Sequence, residues 1–334
     1  MSLIDLTTKT FESKQDPTEQ FGLDVLMGLS SKPKSLPPKY FYDDLGSRYF
    51  QEICETEEYY PTKCEAEIFE TKKQDIVDQF SSESITMVEL GAGDGRKTKI
   101  LLDEISKRKI KTKYFPIDIS SSALEGLIAG LQTGFPNIEA KGIVAEYFTA
   151  LKWLSFESKE KKVVLMLGGN IGNFSTPEQR VFLKTLWNSL NDGDIVLTGF
   201  DLKKDIDVML SAYNDKSGAT KRFNLNLLTR MNRELGANFD ISKFSHFGTY
   251  NVALGAMESF LISLEEQEVE IPALDTKFRF KPFEAIHNEY SFKFLPSEIN
   301  QLVTQTGFEV VHHYTDSRNY FLDALLRVKK NIAF

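Results

Sequence analysis

Val88-Glu-Leu-Gly-Ala-Gly-Asp-Gly-Arg-Lys-Thr98 is the stretch that decides the fold. It joins the β-rich run Ser84–Leu90 to a helical stretch, Lys97–Lys107, so glycines 91, 93 and 95 fall in a strand-to-helix turn. Glycine lets such a turn be tight and lets a ligand touch the backbone beside a helix N-terminus. A dinucleotide fingerprint has the spacing GxGxxG, its last glycine packing helix on strand. Here the spacing is GxGxG, and Glu89 stands two places before the first glycine.

Outward from this loop the chain alternates strand and helix. Tyr114–Ile119, Ile143–Ala145, Lys162–Leu167 and Ile195–Phe200 read as the second to fifth strands. Ser122, with Glu125 three residues on, reads as a capping box opening a helix. Thr176-Pro-Glu-Gln179 reads as another start, with a cap residue followed by proline at the first position and glutamine at the third. Five strands with helices between them predict a parallel, doubly wound, Rossmann-like sheet. A helix, Pro296–Thr306, and two strands, Phe308–Tyr314 and Phe321–Val328, follow, and the six residues from Thr315 to Tyr320 are short enough for a hairpin. Residues 202–292 break the rhythm with helical and then alternating segments (Ser259–Val269, Lys277–Phe280, Asn288–Phe294). The expected organisation is an α/β core at 65–201, completed by 293–334, with an α+β substrate domain inserted at 202–292. The aromatic-rich segment 20–64 joins that substrate domain. The first thirty residues read as frayed or loosely docked, and Ser30–Lys39, carrying Pro33, Pro37 and Pro38, reads as an extended connector.

Composition narrows the classes. The 334 residues are 41% hydrophobic and 26% charged, a globular profile long enough to bury a core without staples. The net charge of −8 argues against an electrostatic grip on nucleic acid or anionic lipid. No apolar run approaches a membrane span, and the first residues lack a signal-peptide core. Cys54 and Cys64 form no CxxC pair, which argues against a disulfide scaffold or structural zinc and suits a reducing cytoplasm. His246, His287, His312 and His313 are poorly spaced for a triad or a metal site, and the acidic run Glu65–Glu70 reads as a solvated helix face. The expectation is an acidic, metal-free, cytoplasmic monomer with no nucleic-acid or membrane partner.

The GxGxG loop resembles the S-adenosylmethionine loop of class I methyltransferases. That cofactor has no pyrophosphate, so such a loop faces an amino-acid tail and a ribose. Asp118 ends the second strand in Pro116-Ile-Asp-Ile-Ser120, where a carboxylate can accept both ribose hydroxyls. A dehydrogenase would use the same position. The terminal helix and reversed hairpin suit a methyltransferase sheet better than six parallel strands. Glu146 and Tyr147 are placed to hold and cover an adenine, with ordinary core packing the alternative for Tyr147. Leu167-Gly-Gly-Asn-Ile-Gly-Asn-Phe174 brings the backbone close to a reacting centre, and Asn173 either orients a substrate or caps the next helix.

Taken together, SLPPKYFYDDLGSRYFQEI, EYYPTKCEAEI, VELGAGDGRKT, PIDIS, LGGNIGNF, AYNDKSGATKRFNLNLLTRMNRELGANFD and NEYSFKF resemble the histidine-specific, S-adenosylmethionine-dependent methyltransferase family. Its best-known members trimethylate the α-amine of histidine in ergothioneine biosynthesis, and relatives methylate a prenylated tryptophan in ergot alkaloid synthesis. The resemblance, from about residue 20 onward, implies a class I core with a substrate domain, S-adenosyl-L-methionine as cofactor and a small amino-acid substrate. By position it makes Gly91, Lys97, Asp118, Glu146 and Tyr147, with Gly93 in the same loop, the cofactor contacts; the family usually has Asp-Phe at 146–147. It places Asn173 and Tyr213 on the acceptor's carboxylate, the Gly168 backbone near the reacting amine, and Tyr59, Glu289 and Ser291 around an imidazole. Asn173, Tyr59 and Gly168 are then the catalytic set. Ser259 falls where the histidine enzymes carry a methionine that packs the side-chain pocket. The implied activity is methylation of an amino acid's α-amine, L-histidine first. The same chemistry on another amino acid or a tryptophan-derived amine, or a catalytically silent cofactor-binding module, stay open, and a nicotinamide-dependent oxidoreductase is the weaker rival. No residue stands out as a dedicated general base.

Overall fold

The computed structural model describes residues 3–6, 17–80, 82–135, 137–156 and 160–330. These fall into two compact units, one of residues 3–6, 61–203 and 293–330, the other of 17–60 and 204–292.

The first unit is built on a nine-stranded sheet. Its strands are β1 (Leu3–Asp5), β2 (Ser84–Leu90), β3 (Lys111–Asp118), β4 (Ile138–Ala140), β5 (Gly142–Val144), β6 (Lys162–Met166), β7 (Ile195–Asp201), β8 (Phe308–Thr315) and β9 (Phe321–Val328). The order across the sheet is β1-β5-β3-β2-β6-β7-β9-β8, with β4 also on β3. β6 and β7 are buried at every position and β2 at all but its first, the continuous apolar pattern of parallel strands covered on both faces. From β2 the chain winds outward to β3, β4 and β5, then returns to β6 on the other flank of β2. That reversal opens a crevice at the carboxyl ends of β2 and β6. β9 runs antiparallel to β7 and to β8, so the sheet ends in the expected hairpin. Asp316 holds the hairpin loop by accepting from the N–H groups of Tyr320 (2.8 Å) and Phe321 (2.7 Å).

The second unit has a four-stranded sheet in the order Lys34–Ser35, Ala285–Phe292, Ala256–Ser263, Phe244–Asn251. The long helix Ala219–Leu235 buries Phe223, Leu227, Leu228, Met231 and Leu235 in a core shared with Phe21, Val25, Phe41 and Phe280. Asp215 fastens its first turn, accepting from the N–H groups of Ala219 and Thr220, both at 2.8 Å. Gly236, at φ +68°, ends it in the left-handed conformation that lacks a Cβ penalty.

Several local expectations are corrected. The helix cap before Ala123 is Ser120 rather than Ser122, because Ser120 comes first after the strand and its hydroxyl accepts that N–H. The cap of Thr176–Ser189 is Ser175, reciprocated by Glu178, which moves the capping box one residue upstream and removes the capping role considered for Asn173. The run Ser259–Val269 is two strands, Ala256–Ser263 and Gln267–Ile271, broken by a turn. Part of the stretch expected to be frayed is ordered. Leu3–Asp5 pairs parallel with Gly142–Val144, and Pro17–Ser30 is a helix burying Phe21, Val25 and Leu29; residues 7–16 lie outside the described residues. Glu65 is not on a solvated face, for the helix Tyr60–Asp78 buries it completely.

Candidate active site

In the first unit, the crevice is lined by the segments that leave β2, β3, β5 and β6. Gly91, Gly93 and Gly95 all have positive φ (+76°, +52°, +63°), which L side chains rarely adopt. A Cβ at Gly91 would lie 2.7 Å from the Tyr147 hydroxyl and 3.0 Å from Asn170 Nδ2, whereas a Cβ at Gly93 would meet nothing within 4 Å. The loop is thus pinned at one end and faces open room at the middle glycine. Asp118 anchors it, since Gly93 N–H donates to Oδ2 and Ser120 N–H to Oδ1, both at 2.9 Å. Burial nonetheless raises the Asp118 pKa. Each carboxylate oxygen accepts about two hydrogen bonds, so Asp118 keeps acceptor capacity for a pair of vicinal hydroxyls. An adenosyl ribose presents that pair, and the glycine loop leaves room beside it; these residues fit S-adenosylmethionine.

Glu89 does not face the crevice. Its buried carboxylate accepts from Thr98 Oγ1 at 2.5 Å and from the Tyr114 hydroxyl, tying β2 to β3 and to the helix Thr98–Lys107. Loss of solvation pushes its pKa up to about 7, against the pull of those two hydroxyls and of Lys97. Glu146 is exposed, while Tyr147 is half-buried at the start of Tyr147–Phe156, its ring 6.1 Å from Phe174 and 5.9 Å from Phe182. Tyr147 therefore packs in an aromatic group and also closes against Gly91.

After β6, Gly168 and Gly169 are both left-handed (φ +79° and +73°) and lead into the short helical turn Asn170–Asn173. The Gly168 N–H donates to both oxygens of Glu65, at 2.8 and 3.0 Å. Glu65 also pairs with the Lys97 ammonium. Sequence reasoning missed Glu65, Asn170 and Asp323. Asp323 is a fully buried carboxyl in the middle of β9, and neither of its oxygens has a hydrogen-bond partner when it is taken as an acceptor.

In the second unit, the register brings Ser259 opposite both Gly248 and Glu289 and places Met257 opposite Ser291, before a bulge that leaves Asn288 unpaired. Paired residues share a face of an antiparallel sheet, so Ser259 and Glu289 stand side by side, with Ser291 two residues along. Tyr213, at the end of Ile206–Tyr213, donates its hydroxyl to Ser291 Oγ at 2.6 Å. Gly248 makes room for it, since a Cβ there would lie 3.0 Å from the Tyr213 carbonyl oxygen and 3.1 Å from its Cβ. His246 Nε2 lies 2.9 Å from that carbonyl, which can only accept, so this nitrogen carries the proton. Burial lowers the His246 pKa, keeping the ring neutral. Tyr59 is half-buried against the core of this unit, edge-on to Phe50 at 6.1 Å. Thus Tyr213, Ser259, Glu289 and Ser291 are gathered on one wall.

Cys64 is buried with Arg318 Nη2 3.2 Å from its sulfur, and burial pushes the thiol up to about 11, so it stays protonated. Among the described residues no group of three or more His, Cys, Asp or Glu could hold a metal ion, and no helix is long and apolar enough to cross a membrane.

Comparison with known proteins agrees with this geometry. Residues 21–328 match the model of the family described as "Histidine-specific methyltransferase, SAM-dependent". The chain is 34% identical over 318 residues to the histidine N-alpha-methyltransferase of Mycolicibacterium smegmatis, covering 95% of this chain and 98% of that one. It is 30% identical to ergothioneine biosynthesis protein 1 of Schizosaccharomyces pombe over 85% of this chain but 38% of that longer protein. It is 26% identical to 4-dimethylallyltryptophan N-methyltransferase of Epichloe festucae var. lolii, covering 92% of each. With its glycine loop, its Asp118 anchor and a match across nearly its whole length, the chain belongs to the histidine-specific, S-adenosylmethionine-dependent methyltransferase family.

Proposed function

We propose that this enzyme methylates the α-amine of an amino acid, L-histidine before others. S-adenosylmethionine, when bound, supplies an electrophilic methyl group on a sulfonium for in-line displacement by nitrogen. The chain's own residues bind and align the reactants. Asp118 and the Gly91–Gly95 loop hold the ribose side of the donor, Lys97 its amino-acid tail, and Glu146 and Tyr147 the adenine. Asn173 and Tyr213 are the residues for the acceptor's carboxylate, and Tyr59 for its ring. The backbone of Gly168 borders the reacting nitrogen. An α-ammonium must lose a proton before it can attack, and alignment at about 3–3.5 Å does most of the remaining work.

The observation that carries the histidine reading is the wall of the second unit. Glu289 is an acceptor, and Ser291, accepting from Tyr213, is oriented as a donor two residues along the same face. An imidazole presents one N–H and one bare nitrogen, matching that pair; an indole presents only the N–H. The relative from Mycolicibacterium smegmatis is named for histidine, which supports the assignment. Ser259 favours a second acceptor class, because a small buried side chain beside Glu289 leaves space for a larger ring.

An amino-acid panel incubated with cofactor and read by mass spectrometry tests the reading. Histidine should gain one to three methyl groups and lead the panel. In Glu289→Ala the preference for histidine over tryptophan should shrink about ten- to a hundredfold, the cost of leaving a bound ring N–H unpaired. Transfer to another amino acid with histidine ignored would sink the imidazole assignment and leave only amine methylation.

A further inference from the structure

A carboxylate with no exposed surface is expensive unless every oxygen is satisfied, and Glu65 is 0% exposed. Three groups converge on it. The Gly168 amide donates to both oxygens at 2.8 and 3.0 Å, and Lys97, which leads into the helix after the glycine loop, places its ammonium on Oε2. On the third side lies β7, where the missing side chain of Gly199 makes the slot: a Cβ there would come within 2.6 Å of Glu65 Oε1. Asp323 is the residue of β9 paired with Gly199, so its side chain stands on the same face, beside that slot. Both Asp323 oxygens are buried and lack a donor. Loss of solvation and the neighbouring Glu65 charge push the Asp323 pKa far up, against the pull of Lys97. A proton on Asp323 resolves the conflict, for the acid then donates to Glu65 instead of facing it as a second anion.

We propose that Glu65 is a positioning residue for methyl transfer: its buried carboxylate, backed by Asp323, fixes the Lys97 ammonium at the glycine loop and the Gly168 amide at the end of β6. One side chain thereby sets two segments of the crevice that lie far apart in sequence. Lys97 without Glu65 would be free to swing on its four-carbon stem, and Gly168, left-handed and flexible, would lose the acceptor that orients its peptide. The donor's amino-acid tail is the part whose place depends on this arrangement; its ribose and base are held by Asp118 and Tyr147. The inference rests on the donor-binding reading of this unit and not on which amino acid is methylated.

The test is calorimetric binding of two adenosyl ligands, S-adenosylhomocysteine, which has the tail, and methylthioadenosine, which lacks it. In Glu65→Gln, S-adenosylhomocysteine should weaken about tenfold or more while methylthioadenosine changes less than about twofold. Lys97→Met should lose as much, and the double variant no more than either single one, because the two act as a unit. Equal weakening of both ligands in Glu65→Gln, or additive losses in the double variant, would overturn the proposal. Asp323 supplies a second route should Glu65→Gln not fold. Asp323→Ala should weaken S-adenosylhomocysteine about tenfold, and Asp323→Asn, whose amide N–H replaces the acid O–H, should restore most of that. Above about pH 8.5, where Glu89 has lost its proton, the infrared carbonyl band of a protonated carboxyl should be present in the wild type and disappear in both variants. An Asp323→Asn protein as impaired as Asp323→Ala, or no such band in the wild type, would equally overturn it.

Discussion

Replacing Asp118 by alanine separates two roles that one carboxylate plays. The side chain accepts two backbone N–H groups at 2.9 Å, from Gly93 and Ser120, and has capacity left for two hydroxyls. Hydrogen bonds to an ionised group contribute about 1.5–3 kcal/mol each, so losing even one hydroxyl contact should weaken S-adenosylhomocysteine about ten- to a hundredfold, and losing both should weaken it further. Loosening of the Gly93 loop adds to that loss. A single affinity would mix the two effects, but a cycle with a ribose-deoxy analogue of the ligand resolves them. In the wild type, removing a ribose hydroxyl should cost about tenfold or more in affinity. In Asp118→Ala the same deletion should cost almost nothing, because its partner has already gone; the coupling energy reports the contact itself. Calorimetry on the four combinations measures it. If the variant still discriminates hydroxyl from deoxy ligand as the wild type does, Asp118 holds the loop but not the ribose, and the assignment fails.

Glu89 should make stability fall as pH rises. Its pKa is 4.5 in the unfolded reference and about 7 in the fold, so the folded state holds the extra proton between those values; the contribution is fully present below pH 4.5 and lost as pH passes 7, about 3 kcal/mol at most. Urea titrations from pH 4.5 to 8 should show that slope in the wild type and a flatter one in Glu89→Gln, and parallel slopes would refute it. Asp215 should act in the opposite sense. Burial opposes its ionisation, but the Ser217 hydroxyl and the Thr220 and Ala219 amides pull it down to about 2, so its stabilisation is present above pH 3.8 and lost as pH falls through 2. Asp215→Ala should cost about 1–2 kcal/mol at neutral pH, as loss of a helix cap does, and an unchanged denaturation midpoint would exclude that role. Gly248→Ala should push Tyr213 off Ser291, raising the amino-acid KM while leaving S-adenosylhomocysteine affinity intact; a changed cofactor affinity with normal KM would contradict the wall drawn around Tyr213.

The parts of the fold that were legible are those written in local chemistry. β2, β6, β7 and β9 are predominantly apolar runs bounded by turn residues, and the glycine loop follows β2 directly, so position and topology come together. What failed to show is non-local. Leu3–Asp5 is three residues whose only reason to be a strand is the edge at Gly142–Val144. Phe244–Asn251 carries Ser, His, Gly and Thr, with a mostly half-exposed surface, and needs its neighbour Ala256–Ser263 to exist as a strand. The bulge that leaves Asn288 unpaired sets how Glu289 meets Ser259, and no residue in that stretch announces a bulge.

Glu65 was hidden differently, by counting charges instead of placing them on a helix. Tyr60, Pro61, Cys64, Ile68, Phe69, Ile76 and Val77 are buried at the three- and four-residue spacing of one helical face, and position 65 lies inside that stripe. Between residues 61 and 70 the exposed positions are Lys63 and Glu70, while Glu67 is half-buried with an oxygen on the Ser317 amide. An acidic residue in an apolar stripe cannot be a solvated face. Burying it unpaired would cost several kcal/mol, a large share of the roughly 5–15 kcal/mol that hold a domain together. The sequence therefore carried a demand for partners at position 65, and the same reasoning applies to Asp323 within Phe321-Leu-Asp-Ala-Leu-Leu326. Two such demands arising in separate elements are met most cheaply by each other and by one cation, which is how the chain uses Lys97. The charge pattern could thus have named the cluster as a site, though not the Gly168 amide, which enters only because β6 ends beside it.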